Sequence, residues 1–365
     1  MRTVIVGGSL VGLTAAASLQ LNGDEVTVLE QAPEVRAAGA GIGLWPNALR
    51  EFDRIGIGAT VRALGSRIDT WFHDADGRRI RAAGSAASDH RFLLVPRPAL
   101  NSLLADTVGR DRIRTGARAT GYTEDGPEVV VHLADGTDLR ADLLIGADGV
   151  YSRTRAQLVP GSEAVAHDGH YAWRALVPAG DERPEGTVLT VGRDRTRGGY
   201  ARVTEGRTMW MVNQFDAGPL TGGKRDRALA RARNLAGAGW HDDLLRMIAE
   251  TPEEAVLENQ IMVVPPLDRW TSPRVALIGD AAHGLSPHIS AGGTLGVEDA
   301  GVLRAALAAG PDTRTALARY EAARTARFTE VRAHAAAVEQ AVGAREFAER
   351  YAAFSHWMLT TAPAG

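Results

Sequence analysis

Asp280 is the residue best placed to do chemistry, because it follows an apolar run at 275–278 that predicts a buried parallel strand. Open α/β sheets bind their ligands at the carboxyl ends of such strands, so a ligand is expected beside this carboxylate. Gly292 and Gly293 allow a ligand to approach the backbone closely, and a helix predicted over 294–307 starts beside them. A helix start offers unpaired N–H groups and a partial positive charge. The stretch therefore predicts a site for anionic atoms.

A glycine turn near the amino terminus carries a second chemical signal. The predicted elements around it are a strand at 2–6, a turn at 7–12, a helix at 13–21 and a strand at 25–29. In this G-x-S-x-x-G turn, Gly7 makes the tight turn and Gly12 packs helix on strand, while Ser9 replaces the usual second glycine. Glu30 ends the second strand, where an acid would bind a ribose 2′-hydroxyl. The βαβ unit with its acid favours a dinucleotide site over an ordinary glycine-rich turn.

Composition excludes several other classes of protein. The 365 residues are 45% hydrophobic and 23% charged, which is ordinary for a globular protein. A net charge of −3 makes no electrostatic case for binding nucleic acid or an anionic membrane. The chain has no cysteine, which excludes disulfides, thiolate metal sites and iron–sulfur clusters. No signal peptide and no membrane-spanning run is recognisable, so the expected location is cytoplasmic.

The middle of the chain has a different pattern from the glycine turn and its helix. An Asp135-Gly136 turn predicts a hairpin between strands at 128–133 and 139–145. Short alternating strands are then predicted at 170–177, 188–191, 199–203 and 208–215, as in an antiparallel sheet. Tyr200, Trp210 and Asn213 lie on these strands as candidate substrate residues, with the inward-facing parity left open. The predicted boundaries are 1–158 and 265–310 for the nucleotide-binding domain, 159–264 for the sheet domain and 311–365 for a C-terminal helical segment.

Three motifs stand in a fixed order along the chain. They are the glycine turn with Glu30, the segment GADGVYSRTR at 146–155, and GDAAH at 279–283 followed by Pro287. Together they resemble the FAD-dependent aromatic hydroxylases of the para-hydroxybenzoate hydroxylase type, the class A flavoprotein monooxygenases, over residues 3–328. Residues 39–47 and the segment Glu298-Asp299-Ala300 are most similar to the salicylate, 3-hydroxybenzoate and urate hydroxylase branch. The SPHISAGG loop at 286–293 is more similar to the pyridine-ring hydroxylases, and both branches stay open.

The resemblance implies an α/β fold in which a Rossmann-like FAD-binding domain is interrupted by an antiparallel β-sheet substrate domain and followed by a C-terminal helix. It also implies a set of cofactor-binding residues. These are Gly7, Ser9, Leu10, Val11, Gly12, Glu30, Gln31, Gly43, Arg97, Asp148, Asp280, Pro287, Ala291, Gly292, Gly293 and Thr294. Asp280 is implied to bind the ribitol chain, and Asp148 to organise the pyrophosphate region and the passing nicotinamide. Residues 290–294 replace the usual G-Q-G-x-N of the flavin loop, so this loop is expected to position flavin through its backbone.

The activity that the resemblance implies is monooxygenation of an aromatic or heteroaromatic small molecule. NADH or NADPH reduces FAD, O₂ adds to form a flavin C4a-hydroperoxide, and its distal oxygen goes to an electron-rich ring. The motifs report the cofactor and not the substrate, so an epoxidase, a Baeyer–Villiger oxygenase or a redox-neutral flavin-binding scaffold remain alternatives. His288 is the candidate catalytic residue for deprotonating the substrate, against the alternative of a packed histidine. Arg193, Arg195 and Arg197 form a basic cluster that would attract a coenzyme phosphate or an acidic substrate, or else lie in a solvated loop.

Overall fold

The computed structural model describes residues 1–35, 39–80, 91–182, 187–192, 194–215, 221–235 and 240–362. The strands are β1 (Arg2–Val6), β2 (Glu25–Leu29), β3 (Gly41–Leu44), β4 (Ser66–His73), β5 (Arg79–Ile80), β6 (Arg91–Pro96), β7 (Ile113–Arg114), β8 (Ala119–Asp125), β9 (Glu128–Leu133), β10 (Asp138–Ala141), β11 (Leu143–Gly146), β12 (Val165–Pro178), β13 (Thr187–Val191), β14 (Arg197–Thr204), β15 (Arg207–Gln214), β16 (Leu257–Val263) and β17 (Val275–Leu277). The helices are α1 (Leu10–Gln20), α2 (Pro46–Arg54), α3 (Gly58–Ala63), α4 (Arg97–Val108), α5 (Arg153–Leu158), α6 (Lys224–Arg233), α7 (Trp240–Glu250), α8 (Asp280–His283), α9 (Gly292–Ala309), α10 (Thr313–Gln340) and α11 (Gly343–Thr360). No helix within these ranges is both long enough and apolar enough to cross a membrane.

A five-stranded parallel sheet carries the nucleotide-binding half. Its strand order is β17-β11-β1-β2-β7, and each neighbouring pair is parallel. The three strands that precede the sequence motifs, β1, β11 and β17, are therefore neighbours. Because parallel strands end at the same edge of a sheet, all three motifs meet there. This arrangement confirms the predicted Rossmann-like fold.

The predicted hairpin is correct only in its first part. β9 pairs antiparallel with β10, and Leu139 lies opposite Val131. The run predicted as one strand at 139–145 is interrupted at Asp142, whose carboxylate accepts a hydrogen bond from the Arg2 backbone N–H. Beyond that residue the chain enters the parallel sheet as β11. The predicted single strand is thus divided between two sheets, and only its second part, β11, is buried throughout.

The large sheet draws on more of the chain than residues 159–264. Its order is β16-β12-β15-β14-β13-β4-β6-β3, with β5 added beside β4. β13 pairs in parallel with β4, so a strand from the middle of the chain joins one from the first 100 residues. The predicted boundary at 159 missed this, because residues 41–96 form strands whose partners are distant in sequence. The large sheet is therefore mixed, with one parallel pair, and it includes strands from the first 100 residues of the chain.

The C-terminal segment is two helices and not one. α10 ends at Gln340, and α11 begins at Gly343, which has a φ of +78° that favours glycine. Buried residues of both helices, including Tyr320, Val331, Phe347 and Phe354, join the largest apolar core together with α1, α4 and α9. A second core lies between the large sheet and the helices α6 and α7. The C-terminal helices therefore pack against both halves of the molecule.

Candidate functional site

The glycine turn is shaped by close backbone contacts. A Cβ on Gly7 would lie 2.2 Å from the Ala147 carbonyl oxygen, and one on Gly12 would lie 1.9 Å from the Gly7 carbonyl oxygen. Gly7 also has a φ of +114°. Only glycine fits at either position, so the turn lies directly against the GADG segment that follows β11. The start of α1 is thereby left as a backbone cradle with no acidic residue in its first turn.

Ser9, Leu10 and Val11 form the start of α1 as expected of a diphosphate-binding turn. Ser9 is the N-cap, and its side chain makes no capping hydrogen bond, so the first N–H groups of α1 have no side-chain acceptor from it. Leu10 is buried. The Val11 methyl groups lie about 3 Å from where a Cβ of Gly279 would be, which packs the start of α1 against the loop after β17.

Glu30 lies across the same turn. Its carboxylate accepts hydrogen bonds from the backbone N–H groups of Gly8 at 2.9 Å and Ala32 at 2.8 Å. These bonds hold the acid at the end of β2, beside the start of α1. Gln31 follows it as an exposed residue at this edge of the sheet.

Asp280 begins α8 and is exposed. Its Oδ1 lies 3.7 Å from where a Cβ of Gly292 would be, so this carboxylate faces the start of α9. Burial of the guanidinium lowers the pKa of Arg97 below its usual value, and the nearby charge of Asp280 partly opposes this shift. Gly43 approaches the same loop, with its Cβ position 3.8 Å from Cβ of Ser290. The structure thus brings Gly43 and Arg97, which are far away in the sequence, to the stretch that contains Asp280 and Gly292.

The flavin loop that precedes α9 is held by residues that the sequence did not single out. Residues 287–289, with Pro287 first, form a single 3₁₀ turn, and Ser290 has a φ of +49°, which is rare for a residue with a side chain. The Trp45 indole N–H donates to the Ser290 carbonyl oxygen at 3.1 Å, and Tyr351 hydrogen-bonds the Ser290 side chain. Two aromatic residues from β3–α2 and α11 therefore fix this loop.

The start of α9 combines open and crowded positions. The Thr294 hydroxyl accepts a hydrogen bond from the Trp45 backbone N–H at 3.1 Å and is buried. Ala291 is the buried N-cap residue and makes no side-chain capping bond. A Cβ on Gly293 would lie 2.5 Å from Cδ1 of Ile42, so glycine lets β3 approach the helix. Gly292, by contrast, faces the Asp280 carboxylate, and α9 has no acid in its first turn. The N–H groups at this helix start suit the anionic edge of a reduced flavin.

Asp148 has a structural explanation in addition to its predicted cofactor role. Its carboxylate accepts hydrogen bonds from the Ser152 hydroxyl, from the Thr154 hydroxyl and from the backbone N–H groups of Arg153 and Thr154, which caps the start of α5. Arg155 of the same motif is buried and donates to the carbonyl oxygens of Val150, Ser162 and Ala281. The motif therefore braces the loop of Asp280.

Two of the three candidate substrate residues face away from the flavin loop. Tyr200 and Trp210 are opposite one another on β14 and β15, and both are buried against α6 and α7. The Trp210 indole N–H donates to Thr251 at 2.9 Å. Assigning them to the substrate was wrong, because their parity along the strand places them in a helix-covered core. Asn213, of the opposite parity, shares a face with Met209 and Met211, which pack towards β3, β4 and β6.

A cluster of rings and charges lies beside Asn213, and we call it the imidazole cluster. The rings of His170, His288 and Phe215 are mutually in contact, with centroids 4.5, 4.5 and 4.4 Å apart. The Arg197 guanidinium lies 4.8 Å from the Phe215 ring centre. Within the described ranges, both ring nitrogens of His170, Nε2 of His288, and Nε and Nη1 of Arg197 are buried and accept or donate no hydrogen bond.

The electrostatics of the imidazole cluster are unfavourable to further positive charge. Burial, with His167, Arg197 and Arg195 nearby, lowers the pKa of His170 to about 3. Burial likewise holds the pKa of His288 well below its usual value, assisted by the charge of Arg197. Burial and the neighbouring Arg195 lower the pKa of Arg197 to about 9. Both histidines are neutral at pH 7, and the cluster as a whole suits an anionic partner.

Two arginines of the basic cluster, Arg195 and Arg197, bond to the protein and do not lie in a solvated loop. Arg195 donates to the Glu339 carbonyl oxygen at 2.7 Å, and Arg197 donates to those of Val338 and Glu339 at 3.1 and 3.2 Å. Both arginines therefore reach the C-terminal end of α10, where the helix dipole favours cations. Arg193 lies outside the described residues.

Taken together, the site fits an FAD molecule. The backbone cradle at Gly7–Gly12 supplies hydrogen-bond donors for the diphosphate, and the acid at the end of β2 supplies acceptors for the ribose. The start of α9, which faces Asp280 and has no acid in its first turn, supplies donors for the flavin. The class of protein defined by this fold and site is a flavin-dependent oxidoreductase. The sequence analysis did not single out His170, because this residue stands in no local motif. It used Asp299 only as part of the Glu298-Asp299-Ala300 resemblance and gave it no role in the site.

Comparison with known proteins agrees with this geometry. The family model described as "FAD binding domain" matches residues 1–335. The chain is 32% identical to the aurachin C monooxygenase/isomerase of Stigmatella aurantiaca, over 90% of this chain and 86% of that protein. It is 30% identical to an FAD-dependent urate hydroxylase of Klebsiella pneumoniae, over 91% and 88%. The solved structure of Klebsiella pneumoniae HpxO with FAD and uric acid superposes with a TM-score of 0.82 at 27% identity, covering 98% of this chain and 93% of that one.

This chain belongs to the family of FAD-dependent aromatic hydroxylases. It is an FAD-dependent monooxygenase with NAD(P)H as co-substrate, as the motifs implied.

Proposed function

We propose that this chain inserts one oxygen atom of O₂ into an acidic aromatic or heteroaromatic small molecule, with NADH or NADPH as electron donor. The other oxygen atom leaves as water, so one NAD(P)H is oxidised for each product molecule. Bound FAD supplies the two-electron chemistry and the activation of O₂. The protein residues supply binding, orientation and the exclusion of water.

The observation that carries this proposal is the set of unpartnered polar atoms in the imidazole cluster. Buried polar groups in folded proteins are nearly always hydrogen-bonded, and each one left alone costs free energy. Five such atoms belong to His170, His288 and Arg197, and His288 lies two residues before Ser290 of the flavin loop. A ring with ionised oxygen or nitrogen atoms would accept hydrogen bonds from the N–H donors among these atoms next to the flavin. The charge of Arg197 favours the anionic form of such a ring.

Asn213 and His288 are assigned different tasks in this proposal. Asn213 lies across from Arg197 on the neighbouring strand, so its amide would bind the same face of the substrate. His288 is a weak base in the free enzyme, because its pKa is held well below the usual value. We therefore assign it a hydrogen bond to the substrate, and its imidazole Nε2 is the atom available for that bond.

The test is oxidation of NADH and of NADPH by the purified flavoprotein, with O₂, against a panel of aromatic ligands. The panel pairs hydroxylated ring acids, such as hydroxybenzoates, hydroxypyridine carboxylates and urate, with their neutral amides or ethers. We expect stimulation by acidic members and a product that contains one ¹⁸O atom from ¹⁸O₂. A product with an epoxide or an expanded ring would instead identify the reaction as epoxidation or Baeyer–Villiger insertion. Stimulation by the neutral members alone would contradict the proposal of an acidic substrate.

Two variants on opposite faces of β15 provide a matched control. Asn213→Ala is expected to raise KM for the acidic substrate by about tenfold, corresponding to about 1.4 kcal/mol, with little change in melting temperature. Trp210→Phe is expected to lower the melting temperature and leave KM unchanged, because this side chain lies in the core beneath α6 and α7. The reverse pattern would contradict the assignment of faces.

A further inference from the structure

A buried network of charges joins α9 to α10. Glu298 and Asp299 on α9 face Arg324 and Arg327 on α10. The Arg324 guanidinium donates to Asp299 at 2.6 Å and to Glu298 at 3.0 Å, and Arg327 donates to Glu298 at 2.7 Å. All four side chains are at least nine-tenths buried. Two charges of each sign are therefore matched in an apolar environment.

Asp299 differs from its neighbour in also binding the loop that carries Asp280. Its Oδ2 accepts the Gly279 backbone N–H at 2.7 Å and faces Nε2 of His283 at 2.6 Å. Because the neighbouring carboxylate accepts this bond, Nε2 of His283 is the protonated nitrogen. These two contacts lie on either side of Asp280. One carboxylate thus holds both ends of the short segment that carries the flavin-facing acid.

The segment needs such support because its backbone is unusual. Gly279 has φ of +59° and ψ of −142°, and α8 is a single turn without a side-chain cap. Although burial opposes ionisation, His283 and Arg324 bring the pKa of Asp299 down to about 2. A charged acceptor makes stronger hydrogen bonds than a neutral one, so an ionised Asp299 restrains the loop more firmly than an amide would.

Glu298 makes comparable contacts but not to this loop. It accepts bonds from Asn47 at 2.7 Å and from Arg327, and it shares Arg324 with Asp299. Burial raises its pKa, and the two arginines lower it below its usual value. The two acids therefore carry the same charge, are both buried and lie on the same helix. Only Asp299 contacts residues 279–283.

We propose that Asp299 is a positioning residue for the flavin: through Gly279 and His283 it sets the Asp280 carboxylate opposite the start of α9, and Arg324 makes α10 part of that support. The inference rests on FAD binding and not on the identity of the substrate. Residues that orient ligands from behind commonly change affinity by about 10–100-fold when removed, as at metal sites.

The test compares Asp299→Asn with Glu298→Gln. Each variant removes one buried negative charge from the same network, so both are expected to lower the melting temperature of the apoprotein by similar amounts. We expect Asp299→Asn to weaken FAD binding by about tenfold or more. Glu298→Gln should keep an FAD affinity close to that of the wild type. The affinity is measured by quenching of flavin fluorescence on titration with apoprotein, without substrate or coenzyme.

His283→Leu provides a second variant if Asp299→Asn does not fold. It removes one support of the loop and leaves the ion pair between Asp299 and Arg324 in place, so FAD affinity should fall while the apoprotein stays folded. Equal FAD affinities in Asp299→Asn and Glu298→Gln, or an unchanged affinity in His283→Leu, would overturn the proposal. Wild-type protein that binds FAD in the same titration separates this failure from a failure of the monooxygenase assignment.

Discussion

His170 and His288 lie where the surrounding protein disfavours a protonated imidazole ring. Both are buried, and the positive charge of Arg197 acts on each. His167 and Arg195 add to this field, whereas Glu339, the nearby acid, is already bonded to His167 and Ser286. The folded protein therefore holds these two histidines neutral at pH values where an unfolded chain protonates them.

This difference predicts that stability falls in mild acid. Unfolded histidine has a pKa of about 6.5, so below that pH the unfolded state binds more protons than the folded state and the free energy of unfolding decreases. Each of the two groups contributes at most about 1.4 kcal/mol per pH unit. The decline should begin below about pH 6.5 and continue towards the low folded pKa values. Urea unfolding of the apoprotein between pH 7.5 and pH 5 measures it.

Removal of one imidazole tests the origin of this pH dependence. His170→Gln should make the pH dependence shallower by one proton, because glutamine does not titrate. A His170→Gln slope identical to that of the wild type would show that this imidazole is protonated in the folded state.

At the scale of elements, the close contact between the glycine turn and the GADG segment is the feature that the cofactor site depends on. Gly12→Ala would place a Cβ 1.9 Å from the Gly7 carbonyl oxygen, so the start of α1 has to move. We expect a loss of about 1–3 kcal/mol in the free energy of unfolding, as for other overpacked sites, together with loss of FAD binding.

Gly206→Ala is the matched substitution. Gly206 lies in the exposed turn between β14 and β15, and its Cβ would meet no atom of the described structure within 4 Å. The free energy of unfolding of the Gly206→Ala variant should stay within about 0.5 kcal/mol of the wild type, with FAD content unchanged. Flavin absorbance per chain and thermal melting measure both effects. If Gly12→Ala retained a full complement of FAD, the turn would not be the diphosphate cradle.

At the scale of the molecule, α11 ties the two halves together through aromatic rings. Phe354 packs edge-on to Trp45 beside the flavin loop, with centroids 5.9 Å apart. Phe347 and Tyr351 contact Phe72 of the large sheet at 5.2 and 5.3 Å. One helix thus joins the part of the largest core beside the flavin loop to the part that packs against the large sheet.

This packing predicts that loosening α11 releases FAD as the whole protein unfolds. Phe354→Ala should reduce the free energy of unfolding by about 3–5 kcal/mol, because the ring is fully buried. Far-UV circular dichroism and flavin fluorescence should show one coincident transition at a lower temperature. Arg350→Ala, exposed on the same helix, should leave both curves in place. Early flavin release with intact helix content would contradict the coupling.

Local spacing was sufficient to predict the parts of this protein that a few adjacent residues specify. The βαβ unit, the acid at its second strand and the loop after β17 follow from glycines, apolar runs and a charge at fixed positions, because backbone conformation depends on near neighbours. Their ordered combination was enough to predict FAD and the family. The site residues of the glycine turn and of the Asp280 loop accordingly lie at one edge of the parallel sheet.

The substrate side depended on contacts between distant residues. Tyr200 and Trp210 differ from Asn213 only by strand parity, and which parity is covered by helices depends on where α6 and α7 pack. The pairing of β13 with β4 and the stacking of His170 on His288 join segments more than 100 residues apart, and the hydrogen bond from the Gly279 N–H to Asp299 joins residues 20 apart. No periodicity encodes such partners, because they are selected by the burial of the complete core and by the matching of charges within it.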